Sequence, residues 1–123
     1  QLSNVKVYSG QADMKFTNQM GDDDKSRARE LHQHFFETAV AAARNGEIDL
    51  LVFDEVFGAL STDLLDAEEV YEFLRTKPQK LEVVLTGRSP EARFIALADY
   101  VSEVRCIAHP YNKGILARDG IDY

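Results

Sequence analysis

None of the seven glycines in the 123 residues is followed by lysine, so the chain holds no complete G-x-x-x-x-G-K-[ST] phosphate loop. A single cysteine, Cys106, excludes an internal disulfide and suits a reducing compartment. No apolar stretch approaches the length of a membrane span. Positive charge is scarce, with 14 Lys and Arg against 21 Asp and Glu for a formal net charge of −7. No basic stripe gathers to offset that charge, so nucleic acid is not an expected partner. With no signal-peptide pattern, the cytoplasm is the expected location. The first residue is Gln1, and a processed product or a piece of something longer is the expectation. What is present is ordinary globular composition, 45% hydrophobic and 28% charged. A chain of this length is expected to form a single α/β domain over residues 1–123.

The pattern alternates between strand-like and helix-like segments. Val5-Lys6-Val7-Tyr8 has the alternation of a short strand, and residues 9–20 read as a loop. Ala28, Leu31, Phe35, Ala39 and Ala42 recur every three or four residues, which predicts an amphipathic helix from Asp22-Asp23-Asp24 to about Arg44. The acidic triplet suits the positive end of its dipole, and Asn45-Gly46 supplies the stop. Residues 48–53, apolar except for Asp49, predict a central strand covered by helices on both faces. Asp66 and Glu69 have the spacing of a capping box for a helix running to about Lys77, before Pro78. Residues 81–87 predict a further strand, and Ser89-Pro90 a cap and first-turn proline for a helix through Ala98. Residues 100–108 return to β-type composition, and the tail from His109 is rich in turn residues. Strands alternating with helices imply a parallel sheet, whose ligands bind beyond the carboxyl ends of the strands.

Those ends carry chemistry. Asp54-Glu55 closes the 48–53 run, where one carboxylate can reach a metal while its neighbour holds the water shell. The competing reading is that the pair merely opens the next helix, where acids are favoured by the dipole. Thr86-Gly87-Arg88 closes the 81–87 run, with glycine easing the turn and the arginine either facing phosphate or paired with a surface acid. Tyr8 and the loop behind it are expected at the same rim. His32 and His34, two residues apart, would diverge on a helix and are read as surface histidines. Cys106 is read as a buried, inert thiol. The Asp22-Asp23-Asp24 run is read as a helix start more than a cation site. His109 stays open between contacting a ligand and fixing the chain.

Taken in order, several segments resemble the P-loop class of ATP:corrinoid adenosyltransferase. They are Ile48-Asp49-Leu50-Leu51-Val52-Phe53-Asp54-Glu55, Gly58-Ala59-Leu60 with Leu64-Leu65-Asp66, Val83-Val84-Leu85-Thr86-Gly87-Arg88, and Leu97-Ala98-Asp99-Tyr100-Val101-Ser102-Glu103. The ending His109-Pro110-Tyr111-Asn112-Lys113-Gly114-Ile115 through Gly120-Ile121-Asp122-Tyr123 completes the set. The resemblance implies a P-loop NTPase, RecA-like sheet flanked by helices and incomplete at its N-terminus. It implies transfer of the 5′-deoxyadenosyl group of ATP to Co(I) of a reduced corrinoid (cobalamin), with release of triphosphate. By the family pattern Glu55 is the magnesium (Mg2+) ligand, Asp54 supports it, and Arg88 lies near the nucleotide. Phe16 is the position matching the aromatic residue that presses on the corrinoid and displaces its lower ligand. Asn18 stands where some relatives place tryptophan, and this chain has none. An electron-donating reductase and a homodimer are the implied partners. Without the loop's amides and lysine, the chain alone is expected not to turn over ATP, and a missing first strand and helix would leave apolar sheet surface uncovered. A non-catalytic corrinoid- or partner-binding module and a different phosphate-loop ATPase are the competing readings.

Overall fold

The computed structural model describes residues 3–9 and 21–121. The first long element is α1, Asp22–Arg44, whose three aspartates occupy the first turn and whose single basic end residue is Arg44. Charge of each sign therefore sits at the helix end whose dipole favours it. Gly21 is the residue before the helix and Asn45 ends it, with Gly46 at a φ of +72°. The buried stripe is Ala28, Phe36, Ala39 and Ala43; Ala28 and Ala39 are as predicted, whereas Phe36 and Ala43 take the inward places expected of Phe35 and Ala42. The period was legible, but the partner elements choose which of two adjacent apolar rows turns inward.

Strand β1, Leu50–Phe53, is followed by α2, Val56–Ser61, and α3, Ala67–Thr76. Asp66 caps α3 by accepting hydrogen bonds from the Glu68 and Glu69 amides at 2.8 and 3.1 Å. Glu69 does not close the reciprocal half of a capping box. Its carboxylate accepts instead from Gln33 Nε2 of α1 at 2.7 Å, which ties the two helices together. Strand β2, Glu82–Leu85, then pairs parallel to β1 with Leu50 opposite Glu82 and Phe53 opposite Leu85. The intervening α2 and α3 form the crossover that parallel pairing requires.

Inward-facing Leu51, Phe53, Val83 and Leu85 pack against a core that includes Phe36, Val70, Phe73 and Leu81. Phe36, Phe53 and Phe73, one each from α1, β1 and α3, lie with ring centroids 5.8 to 6.4 Å apart, and two of the three pairs meet edge to face. The alternate residues point the other way, with Leu50 and Val52 56% and 51% exposed. The expectation of a central strand covered on both faces is therefore corrected. Among the described residues the sheet has only these two strands, and its helices cover one face. Leu50, Val52 and Val84 leave this face apolar and exposed.

Three further expectations are corrected. Ser89-Pro90 does not cap α4, Ala92–Leu97; Glu91 is the residue before that helix, and Ser89 sits at a φ of +52° where a cap needs extended backbone. Residues 5–8 and 100–108 form no strand, although Val5, Val7, Tyr8, Tyr100, Val101, Val104 and Ile107 are all exposed apolar or aromatic residues. β-type composition becomes a strand only with a neighbouring ladder to satisfy its amides and carbonyls, and no described neighbour pairs with either segment. The tail holds one 3-10 turn, Pro110–Lys113.

Truncation at the aromatic core, Phe73→Ala, is expected to cost about 3–5 kcal/mol, and Asp66→Ala about 1 kcal/mol. Val52→Thr on the open face should change stability by no more than about 0.5 kcal/mol. Urea unfolding of the 123-residue chain measures all three, and a core-sized loss for Val52→Thr would mean that this face is packed.

Candidate functional site

The parallel register decides what meets at the carboxyl ends of the strands. With Phe53 opposite Leu85 and the Thr86 amide donating to the Phe53 carbonyl at 3.1 Å, the residues that follow each strand become neighbours. Thr86 Oγ1 donates to Asp54 Oδ1 at 2.6 Å and accepts from the Glu55 amide at 2.9 Å. Glu55 is held at φ +52° and ψ +28°, the left-handed region that a non-glycine residue enters only when its surroundings enforce it. That turn redirects the chain into α2, whose first residue, Val56, is buried. The two carboxylates consequently do not continue a strand, and both residues are exposed.

The loop after β2 is fitted against the loop after β1. Gly87 has a φ of +138°, and a Cβ built there would lie 3.1 Å from Phe57 Cβ and 3.2 Å from the Phe57 amide nitrogen. Glycine is thus required twice over, by conformation and by the approach of α2. Phe57 in turn meets Phe94 of α4 edge to face at 5.5 Å. Arg93 pins α4 to α3 through an ion pair with Glu68 at 2.6 Å and lies over the Tyr71 and Phe94 rings. The loop after β2 therefore rests on packed aromatic side chains.

Asp54, Glu55, Thr86, Gly87 and Arg88 are brought to this one edge, as expected for a parallel sheet. Arg88 is exposed, with neither an ion pair nor a hydrogen bond among the described residues. Tyr8 ends no strand; its ring packs 5.8 Å from that of Phe35 on α1. Phe16 lies outside the described residues. Thr86 was expected at this rim with Gly87 and Arg88, but with no role for its hydroxyl. Its signal was the register, since a hydroxyl one position past each paired strand end stands beside Asp54.

The other candidates separate from this edge. His34 is exposed, but His32 is half-buried on α1 and burial lowers its pKa below the ordinary 6.5, which corrects the reading of two surface histidines. Cys106 is exposed, not buried, because the segment around it packs on nothing described; its Sγ lies 3.6 Å from the Ala108 carbonyl. His109 fixes the chain, with Nδ1 accepting from the Tyr111 amide at 3.1 Å. No group of three or more His, Cys, Asp or Glu among the described residues is arranged to hold a metal. An ion at Asp54-Glu55 would need its remaining ligands from elsewhere. Two hard carboxylates, one with an oxygen already engaged by Thr86, fit the habit of Mg2+, which keeps several waters and takes one or two carboxylates plus substrate phosphate. No helix among the described residues is long and apolar enough to cross a membrane.

This arrangement is an α/β scaffold with an acidic strand end braced by the neighbouring strand. The family model for ATP:corrinoid adenosyltransferase BtuR/CobO/CobP matches residues 1–123, and the chain belongs to that family. It is 33% identical over 102 residues to the corrinoid adenosyltransferase of Escherichia coli K12, covering 83% of this chain and 50% of that protein. It is 35% identical over 101 residues to the corrinoid adenosyltransferase of a Sinorhizobium species, covering 81% and 47%. Against corrinoid adenosyltransferase CobA of Salmonella typhimurium the identity is 38% over 76 residues, 62% of this chain and 39% of that protein. The chain spans about half the length of the first two relatives.

Gly87→Ala should destabilise the protein by about 1–3 kcal/mol, read as a lower urea midpoint, because no L side chain suits that backbone or that gap. His32 predicts a pH dependence. The unfolded chain takes up its proton near 6.5 and the folded form only at lower pH, so between those points the unfolded state binds more protons. Stability should fall as pH drops below about 6.5 and be unaffected by this group above it. His32→Gln should remove that part of the slope, and identical slopes in both proteins would exclude the effect.

Proposed function

We propose that the protein is an ATP:cob(I)alamin adenosyltransferase, with its chemistry at the carboxyl edge of the β1–β2 pair. The observation that carries this reading is the Thr86-braced Asp54-Glu55 strand end in a chain of the corrinoid adenosyltransferase family. The fold is read as a P-loop NTPase, RecA-like sheet, and residues 1–123 as one α/β domain of it. The work falls to cytoplasmic homodimers that receive the reduced corrinoid with the help of an electron-donating reductase.

In the proposed reaction the electron pair of Co(I) attacks the 5′ carbon of ATP. A Co–C bond forms, the C5′–O bond breaks, and its electron pair leaves on triphosphate. No proton has to move at the reacting atoms, so the protein's part is positioning and electrostatics. Glu55 would hold Mg2+ with Asp54 in support, and the ion would screen the triphosphate as it gains charge. Arg88, exposed at the neighbouring strand end, supplies a planar fork of donors to the nucleotide. Phe16 is assigned to the face of the corrinoid. Because these 123 residues contain no phosphate-loop motif, they are proposed not to turn over ATP by themselves.

The protein as its gene encodes it, given ATP, magnesium and chemically reduced cobalamin, should form a light-sensitive Co–C bond and release triphosphate. Glu55→Ala should lower that rate by about 100-fold or more. Binding of the corrinoid with no transfer would favour a non-catalytic module, and release of ADP and phosphate would favour a different ATPase.

A further inference from the structure

We propose that Thr86 is the positioning residue of the acidic strand end, an inference that rests on the metal reading of Asp54-Glu55. Its single hydroxyl is committed on both sides, donating to Asp54 Oδ1 at 2.6 Å and accepting from the Glu55 amide at 2.9 Å. The first bond selects one orientation of the Asp54 carboxylate and leaves Oδ2 with no hydrogen bond from the described residues. The second bond fixes the peptide that leads into the left-handed Glu55, whose carboxylate likewise has no partner among the described residues. Thr86 itself is held by its own amide, which donates to the Phe53 carbonyl at 3.1 Å, and by the constrained Gly87 that follows it.

The chain therefore places a residue anchored at the end of β2 behind two carboxylates that would otherwise sample several rotamers and turn conformations. A cation binding there would meet donors already oriented. Partners that orient metal-binding groups typically change metal affinity by about 10- to 100-fold when removed. Thr86 has that relation to Asp54 and Glu55 without contributing a carboxylate of its own.

The test uses the full-length protein and Mn2+ as a spectroscopic stand-in for Mg2+, titrated by electron paramagnetic resonance. Thr86→Val keeps the shape and removes the hydroxyl, whereas Thr86→Ser keeps the hydroxyl. We expect Thr86→Val to weaken Mn2+ binding by about 10-fold or more, and Thr86→Ser to stay within about twofold of the parent. In an Asp54→Ala, Glu55→Ala background, Thr86→Val should change the residual affinity no further. If Thr86→Val does not fold, as judged by circular dichroism, Thr86→Ala takes its place in the same comparison. Thr86→Val binding Mn2+ like the parent while Glu55→Ala does not would overturn the positioning role and leave the metal reading standing. Thr86→Ser losing as much affinity as Thr86→Val would also overturn it, because shape and not the hydroxyl would then matter. Unchanged Mn2+ affinity in Glu55→Ala would sink the metal reading itself, and this inference with it.

Discussion

The parallel pairing of β1 with β2, in the register that sets Phe53 opposite Leu85, is the constraint on which the candidate site depends. A slip of one residue would turn the inward pair of the slipped strand, Leu51 and Phe53 or Val83 and Leu85, out of the core. It would also carry the Thr86 hydroxyl away from Asp54. Hydrophobic burial and polar geometry therefore select the same register, and the site inherits its precision from the core.

That core is built on one side of the sheet. Phe36, Phe53 and Phe73 lock α1, β1 and α3 together, while Phe57, Tyr71 and Phe94 join α2, α3 and α4. Polar bridges between elements, Gln33 to Glu69 and Arg93 to Glu68, lie at the exposed margins of these clusters, where pairs of this kind set orientation more than stability. The opposite face keeps Leu50, Val52 and Val84 in solvent. Exposed apolar residues adjacent on one sheet face mark a surface suited to burial against another apolar element.

Much of the architecture was legible because it rests on local physics. The dipole-matched aspartates of α1, the Asp66 cap, the Asn45-Gly46 stop and both paired strands follow from residues near one another in the chain. The failures share a different cause. Residues 5–8 and 100–108 have the composition of strands but no described neighbour to pair with, and Cys106 is apolar in character but no described element covers it. Along α1, Phe36 and Ala43 are buried in place of the expected Phe35 and Ala42 because two adjacent rows are apolar, and the packing of Phe36 against Phe53 and Phe73 separates them. At the site, Asp54 and Glu55 were visible as an acidic strand end. Thr86 was expected at the same rim, but its hydroxyl's bonds to Asp54 and Glu55, 32 and 31 positions away, were not visible.

The amino-acid sequence by itself determined α1, the two paired strands with α3 between them, the family to which the chain belongs and the presence of two carboxylates after an apolar run. It did so because periodicity, caps and motifs act over a few residues. The tertiary structure alone decided which face of the sheet is covered, that Glu55 adopts a left-handed turn and that one hydroxyl braces both acids. Those outcomes require groups distant in the chain to meet at hydrogen-bond distance, and the paired register of β1 and β2 brings them there.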